Sequence, residues 1–123
     1  MARVVTTEKA PKPIGPYSQA IVAGGFVFVS GQLGIDPKSG ELKEGIAAQT
    51  ERALENLRSI LEAAGSSLES VVKVTAFLAK PELFSKFNEV YAKYFPSDPP
   101  ARSIAFGSLP KGALVEIDAI AIL

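Results

Sequence analysis

One arginine and two acids near the C-terminal end of the chain stand in stretches that are otherwise built for burial. Arg102 lies in the proline-rich segment 99–103, and Glu116 and Asp118 lie in the apolar run 114–122. Period-two alternation places both acids on one face of a predicted strand and leaves the other face apolar. An unpartnered carboxylate out of water is costly. We therefore expect Glu116 to have a cation, a hydrogen-bonded network or a catalytic role, and Arg102 is the candidate cation.

The composition removes several kinds of chemistry, because the chain has no histidine and no cysteine. The usual general base, a thiolate nucleophile, His and Cys metal sites and disulfides are all excluded. Catalysis would have to come from Arg, Lys, Asp, Glu, Ser, Thr, Tyr, backbone amides and water. Carboxylates alone bind Mg²⁺ or Ca²⁺ in some proteins, but the sequence has no acidic loop typical of such sites. We expect no metal.

Charge and hydropathy narrow the expected partners. Thirteen lysines and arginines balance thirteen aspartates and glutamates, and no basic cluster occurs. This balance argues against a nucleic acid or an anionic membrane surface as partner. No stretch resembles a signal peptide or a membrane span, so we expect a cytoplasmic protein. The length of 123 residues suits a single domain, 1–123, with its own core.

The strands are predicted by runs of β-branched, aromatic and other apolar residues, at Ala20–Ala23, 26–30, Val71–Leu78, 103–106 and 113–122. Gly24-Gly25 suits the positive φ angles of a two-residue hairpin turn between the first two runs. Ser30 and Gly31 should then lie near a strand end. Residues 9–16 hold too many prolines for a helix or a central strand, so they should form an ordered extended loop.

Two helices are predicted from the helical spacing of apolar residues. The first begins at Ile46 and has Gly65 as its stop signal. The second opens at Lys80-Pro81-Glu82. Its buried side should carry Phe84, Phe87, Tyr91 and Tyr94. The order of elements indicates an α+β fold in which a single, mostly antiparallel sheet has two helices on one face.

The apolar side chains of the predicted strands fall on both faces of the sheet. Two helices cover only one face of a sheet with five or six strands. We expect another copy of the chain to cover the second face, which predicts an obligate homo-oligomer. If Glu116 and Asp118 lie on that face, the polar site belongs at or near a subunit interface, where small-molecule clefts are common.

Three motifs stand in order along nearly the whole chain. They are Ile14-Gly15-Pro16-Tyr17-Ser18-Gln19-Ala20, then Phe28-Val29-Ser30-Gly31-Gln32, and finally Pro100-Ala101-Arg102-Ser103 with Leu109-Pro110-Lys111 and Val115-Glu116-Ile117. Together they resemble the signatures of the RidA/YjgF reactive-intermediate deaminase family. The resemblance implies a chorismate-mutase-like fold and a homotrimer with three interfacial clefts. It also implies a cofactor-free hydrolase that converts enamine and imine intermediates such as 2-aminoacrylate, 2-iminobutanoate or 2-iminopropanoate to 2-oxo acids and ammonia, a metabolite damage-control role.

The resemblance places the site at Tyr17, Ser30, the Gly31 amide, Asn88, Arg102 and Glu116. Ile104 stands where members of the family commonly carry a cysteine, so a backbone contact to substrate is kept there and a thiol role is lost. The span from Arg102 to Leu109 is one residue shorter than the family's usual pattern. A turn or bulge at Gly107-Ser108 would preserve the register of the following strand.

The chemistry of these side chains suggests a division of roles. The planar guanidinium of Arg102 would hold the substrate carboxylate through two parallel charge-assisted hydrogen bonds. Glu116 would deprotonate a water for attack on the imine carbon, with its pKa raised by partial burial. Ser30, Tyr17 and the Gly31 amide would orient the water and the substrate.

Each of these residues also has a purely structural interpretation. These are a surface ion pair for Arg102, an interface acceptor or a partner of Lys73 for Glu116, a core aromatic for Tyr17, a strand end for Ser30 and an exposed helix position for Asn88. Asp118 is interpreted as structural.

A second class of function stays open from the sequence. A cofactorless module that binds 2-oxo acids or other short carboxylic acids would use the same Arg102 and would need no water activation. RNA cleavage, a role sometimes attached to this family, fits poorly with the neutral charge and the absence of histidine.

Overall fold

The sheet has six strands and is flanked by two helices in the computed structural model, which describes residues 2–123. The strands are Arg3–Val5 (β1), Ala20–Ala23 (β2), Phe26–Leu33 (β3), Val71–Leu78 (β4), Ala101–Phe106 (β5) and Val115–Ile122 (β6). The helices are Gly45–Ala63 (α1) and Phe84–Tyr94 (α2). The sheet order is β1-β2-β3-β6-β4-β5, and every neighbouring pair is antiparallel except β4 and β5. The predicted α+β fold is therefore confirmed.

Most strand boundaries follow the sequence pattern, with a few corrections. The hairpin between β2 and β3 turns at Gly24-Gly25, whose φ angles of 58° and 82° lie in the left-handed region. β3 continues to Leu33, past the predicted end at Ser30. β5 begins two residues earlier than predicted, at Ala101, and β6 two residues later, at Val115. β1 is not among the predicted strands, because its three residues are too few to show an alternating pattern.

Helix α1 buries one apolar stripe and ends at the predicted glycine. Gly65 has a φ of 91° and donates its N–H to the carbonyl of Glu62 at 3.0 Å, while Ser66 donates to the carbonyl of Leu61 at 2.8 Å. This pair of hydrogen bonds is the Schellman arrangement, which satisfies carbonyls at a helix end. The fully buried residues of the stripe are Ala53, Leu54, Leu57, Ile60 and Leu61.

Helix α2 follows a short 3₁₀ turn at Pro81–Leu83 and packs its middle into the core. Phe87 and Tyr91 are buried as predicted, and Tyr94 is partly buried. The predicted burial of Phe84 is wrong, since its side chain is 39 % exposed. Phe84 is the first residue of α2, and its ring lies 5.9 Å from the guanidinium carbon of Arg102 on the edge strand β5.

The two faces of the sheet differ sharply in exposure. Alternate residues of the central strands, such as Val27, Val74 and Ile117, are fully buried on the face that carries the helices. On the opposite face, Phe28 and Ile122 are 43 % and 50 % exposed. The uncovered face is therefore apolar, as the alternation predicts. Within residues 2–123, neither helix is long and apolar enough to span a bilayer.

Candidate functional site

Arg102 and Glu116 lie on opposite faces of the sheet. Arg102 stands opposite Val74 of β4, which is fully buried on the helix side. Glu116 stands opposite Phe77 of the same strand, three residues further along. Because side chains alternate along a strand, positions three apart face opposite ways. The expectation that Arg102 is the partner of Glu116 within the chain is therefore wrong, since β4 separates their strands and the sheet separates their side chains.

The guanidinium of Arg102 is held by helix α2. Its Nη1 donates a 2.9 Å hydrogen bond to Oδ1 of Asn88. Its central carbon lies 4.8 Å from the ring centroid of Tyr91 and 5.8 Å from that of Phe87, within cation–π range. In the described part of the chain, no carboxylate lies within 4.0 Å of this guanidinium. Arg102 is thus a positioned cation with most of its donors free for an anion.

Tyr91 also belongs to this cluster, although helical spacing predicts it only as a core residue. Its hydroxyl is buried beside the guanidinium of Arg102 and makes no hydrogen bond of standard geometry among residues 2–123. Burial raises the pKa of Tyr91 to about 12, although the positive charge of Arg102 acts in the opposite direction. Tyr91 therefore stays a neutral phenol beside the arginine. Its spacing from Asn88, three residues along one helix, is the signal that places both on the same side.

Ile104 lies on β5 two residues after Arg102 and faces the same way. It stands opposite Ala76 of β4, which is fully buried, and it packs partly buried against the core. The side chain therefore has a packing role on the helix side. A contact of the Ile104 backbone with substrate stays a prediction.

A β-bulge brings Gly31 against Glu116. Val29 pairs with Ala119 and Gln32 with Ile117, so β3 carries one extra residue at Ser30-Gly31. A Cβ atom on Gly31 would lie only 2.8 Å from Cδ of Glu116 and would overlap one of its carboxylate oxygens. A side chain at this position would have to displace the carboxylate, which lies directly over the backbone of the bulge.

Ser30 is fixed beside the bulge by two hydrogen bonds. Its hydroxyl donates to the carbonyl of Ser18 at 2.6 Å, and its backbone N–H donates to the carbonyl of Gln19 at 2.9 Å. The hydroxyl proton is therefore engaged, and the lone pairs of the oxygen remain as acceptors. Ser30 lies next to Gly31 on the same bulge, and its role in the site stays a prediction.

The carboxylate of Glu116 lies in an environment that favours its protonated form. Partial burial raises its pKa, and the neighbouring charge of Asp118 raises it further. Burial also raises the pKa of Asp118, against hydrogen bonds from Thr75 and the charge of Lys73. Lys73 donates to the hydroxyl of Ser103 at 2.9 Å and forms no ion pair with Glu116 in the part of the chain that the structure describes. A pairing of Glu116 with Lys73 is therefore wrong within the chain.

Tyr17 lies at the surface near the bulge. Its side chain is 47 % exposed, so its interpretation as a core aromatic is wrong. Its hydroxyl accepts a long, 3.4 Å hydrogen bond from the N–H of Ile14. Tyr17 and Gly31 both line a cavity of about 510 Å³. Tyr17 therefore belongs with the Glu116 side of the molecule.

Comparison with known proteins places the chain in a family. The family model described as Endoribonuclease L-PSP matches residues 7–123. A RutC family protein of Pyrococcus horikoshii is 56% identical, over 98% of each chain. The human protein named 2-iminobutanoate/2-iminopropanoate deaminase is 47% identical, over 98% of this chain and 89% of its own length. The chain belongs to the RidA/YjgF family.

The crystal structure of RidA from an Antarctic Psychrobacter supports the same assignment. It superimposes with a TM-score of 0.96 at 43% identity, covering 98% of this chain and 99% of that one. The RidA/YjgF resemblance of the sequence motifs is therefore confirmed for the whole fold.

Within this RidA/YjgF chain the predicted residues form two groups. The cation group consists of Arg102 and Asn88, with Tyr91 beside them. The carboxylate group consists of Glu116, Gly31, Ser30 and Tyr17. The first group is suited to binding a carboxylate and the second to proton transfer, yet one chain does not bring them together. Among residues 2–123, no three His, Cys, Asp or Glu side chains gather in a way that could hold a metal ion.

Proposed function

We propose that this chain is a deaminase that hydrolyses reactive enamine and imine intermediates of the 2-aminoacrylate class to 2-oxo acids and ammonia. The observation that carries the proposal is a pair of groups: an arginine that has no carboxylate within 4.0 Å in residues 2–123, and a carboxylate with a raised pKa. The deaminase name of relatives at about this identity supports the same reaction. An α-imino acid presents the two matching features, a carboxylate and an electrophilic carbon.

The complete site is formed between subunits of a homotrimer. The apolar face that carries Phe28 and Ile122 needs cover, and Glu116 lies on that face. Arg102 lies on the edge strand β5, where a neighbouring subunit is able to reach it. Docking the edge of one copy against the open face of the next would bring the cation group of one to the carboxylate group of the other. A closed ring of three copies repeats this contact three times.

Arg102 acts as the anchor of the substrate. Asn88 takes one of its N–H donors and fixes the plane of the guanidinium. The remaining donors form two parallel hydrogen bonds with the substrate carboxylate. Holding the substrate carboxylate also fixes the position of the adjacent imine carbon. The water and the carbon are then already oriented for reaction. The backbone at Ile104 adds a contact on the same side.

Glu116 moves the protons of the reaction. The enamine first tautomerises to the imine, whose carbon is more electrophilic. Glu116 takes a proton from water as the water oxygen bonds to that carbon, and passes the proton to the imine nitrogen, which gives a neutral carbinolamine. Glu116 then takes the proton of the new hydroxyl group and delivers it to the nitrogen as the carbon–nitrogen bond breaks, so that ammonia leaves and the carbonyl group of the 2-oxo acid forms. A raised pKa suits a group that both accepts and donates a proton near neutral pH.

Ser30, Tyr17 and the Gly31 amide orient the water and the substrate beside Glu116. The lone pairs of the Ser30 hydroxyl remain available because its proton is bound to the carbonyl of Ser18. The absence of a side chain at Gly31 leaves the carboxylate in contact with the backbone of the bulge. No cofactor is needed, because free imines already hydrolyse in water and the site only has to accelerate that reaction.

The test is ammonia release from freshly generated 2-aminoacrylate with and without the protein. We expect faster release with the native protein and the uncatalysed rate with a heat-denatured sample. An unchanged rate across a panel of amino-acid-derived imines would contradict the deaminase proposal. Binding of 2-oxobutyrate without any acceleration would instead support the alternative of a small-carboxylate binding module, which needs Arg102 and not Glu116.

A further inference from the structure

A cavity of about 510 Å³ lies next to the carboxylate group of residues, which are Glu116, Gly31, Ser30 and Tyr17. Its volume is larger than a small imine requires. Tyr17 and Gly31 line it, and the Glu116 carboxylate lies against Gly31. Cavities of several hundred Å³ usually receive ligands much larger than a three- or four-carbon acid. The cavity therefore has room for the side chain of a longer imine whose reacting carbon lies beside Glu116.

The wall of the cavity is held in place by a buried amide. Gln19, 2 % exposed, donates its Nε2 to the carbonyls of Thr7 at 3.0 Å and Pro11 at 2.9 Å. Its Oε1 accepts the N–H of Thr7 at 2.7 Å. These bonds fix the proline-rich loop that lines the cavity. Lys111 lines it from the turn Pro110–Gly112, where its backbone has a φ of 59°. The proline-rich side of the cavity is therefore preformed.

The charges on the cavity wall favour an anion. Its lysines outnumber its carboxylates three to two, and the lysines are Lys12, Lys38 and Lys111. None of these lysines has a carboxylate within 4.0 Å in the range 2–123. Of the two acids, Asp36 accepts the N–H of Lys38 at 2.8 Å and lies 3.7 Å from the ammonium of Lys43. The hydrogen bond from Lys38 and the charge of Lys43 lower the pKa of Asp36, so that carboxylate is satisfied locally. The second acid on the wall is Glu8.

We propose that this cavity binds the side chain of the imine substrate and that its lysines select side chains ending in a carboxylate, as in the imine of glutamate. This inference rests on the proposed function, because it places the reacting carbon beside Glu116. Water adds to the carbon–nitrogen double bond and ammonia leaves, giving 2-oxoglutarate without any change of oxidation state. An uncharged side chain of the same length gains burial in the cavity and no attraction to the lysines.

The experiment compares two ligands with the same number of carbons, 2-oxoglutarate and 2-oxopentanoate, by calorimetric titration of the native protein. We expect 2-oxoglutarate to bind roughly fivefold more tightly, as a few exposed ion pairs together supply. The preference should shrink at high salt. The imines of glutamate and norvaline, generated by an amino-acid oxidase, should show the same ratio in kcat/KM.

Two triple variants decide whether the lysines cause the preference. Lys12→Gln, Lys38→Gln and Lys111→Gln together should reduce the binding ratio to about one. Lys80→Gln, Lys86→Gln and Lys93→Gln together remove the same charge away from the cavity and should keep the ratio. Equal binding of the two acids by the native protein, or an equal loss in both variants, would overturn the proposal. Failure of the native protein to hydrolyse 2-iminopropanoate would overturn the proposed function instead, while the binding ratio would still report on the cavity.

Discussion

The cation group and the carboxylate group lie on opposite faces of one sheet and are held in different ways. Arg102 is fixed by a helix, through the amide of Asn88 and the ring of Tyr91. Glu116 lies against an irregularity of the sheet itself, the bulge at Gly31. The arginine group therefore depends on packing of the core, and the carboxylate group depends on a backbone detail at the uncovered face. A reaction that needs both makes catalysis depend on assembly.

The largest effect is expected from Glu116→Gln, which removes the base and keeps the shape. Turnover of 2-aminoacrylate should fall by roughly 10²- to 10⁴-fold, the usual contribution of a general base. Binding of 2-oxobutyrate and the assembly should be retained. The folded-state pKa of Glu116 is raised, so its charged form opposes folding and its contribution to stability falls as pH rises through that pKa. Glu116→Gln should therefore melt no lower than the native protein at neutral pH.

These measurements separate a catalytic Glu116 from a structural one. If Glu116 were only a structural hydrogen-bond acceptor, Glu116→Gln would lower the melting temperature of the protein and leave the rate of turnover unchanged. Glu62→Gln, on the exposed side of α1, is the matched control and should change neither quantity. If Glu116→Gln turned over substrate as fast as the native protein, another group would be the base, and Asp118 would be the first candidate.

Arg102→Lys tests the cation group and should reduce turnover by about two orders of magnitude while preserving charge. A lysine ammonium is a point charge and lacks the planar pair of donors, so the reacting carbon is held less well. Calorimetry should show weaker binding of 2-oxobutyrate as well. Arg58→Lys is the control, because Arg58 also lies over a tyrosine ring, at 5.2 Å, but has Glu55 as its ion-pair partner. Equal rates and affinities in Arg102→Lys and the native protein would make Arg102 a structural residue.

Mixing the two inactive variants tests whether the groups meet across an interface. If each site takes Arg102 from one subunit and Glu116 from the next, random trimers of Arg102→Lys and Glu116→Gln subunits contain some intact sites. About a quarter of the native activity should return after the two are unfolded and refolded together, because each interface draws its two contributors independently. Refolding either variant alone is the control. No recovery in mixtures shown to contain hybrids would contradict a site shared between neighbouring subunits.

The sequence predicts the elements of this fold well and their arrangement less well. The hairpin at Gly24-Gly25 and the strand Val71–Leu78 are local patterns, and both are present as predicted. The opposite facing of Arg102 and Glu116 is not a local property. It depends on β4 lying between β5 and β6, with β4 parallel to one and antiparallel to the other. Alternation along each strand does not reveal which strands become neighbours.

The candidate site shows the same division between local and distant information. Gly31 is predicted from a motif, but its contact with Glu116 depends on a bulge. A glycine within a strand is only a weak indication of a bulge. Tyr91 is read from helical spacing as core, because that spacing does not report the nearby guanidinium of Arg102. Phe84 is the first residue of α2 and its ring lies beside Arg102 on the edge strand, a position that helical spacing does not report. Each correction comes from a contact between elements distant in sequence.

The smallest effect is expected from Asp118→Asn, which adjusts the carboxylate group and leaves the cation group untouched. Asp118 lies two residues after Glu116 on the same face of β6, and its negative charge raises the pKa of Glu116. A base must be ionised, so kcat/KM should fall as the pH drops through that pKa. Removing the charge of Asp118 lowers the pKa of Glu116, so the acid limb of the profile should move to lower pH. Asp98→Asn is the control, because it removes a charge outside this strand and should leave the acid limb in place. Asparagine also tolerates the left-handed backbone of Asp98, whose φ is 46°. An acid limb that stays fixed in Asp118→Asn would mean that the group seen in the profile is not Glu116, and the proton-transfer role would then belong elsewhere on the uncovered face.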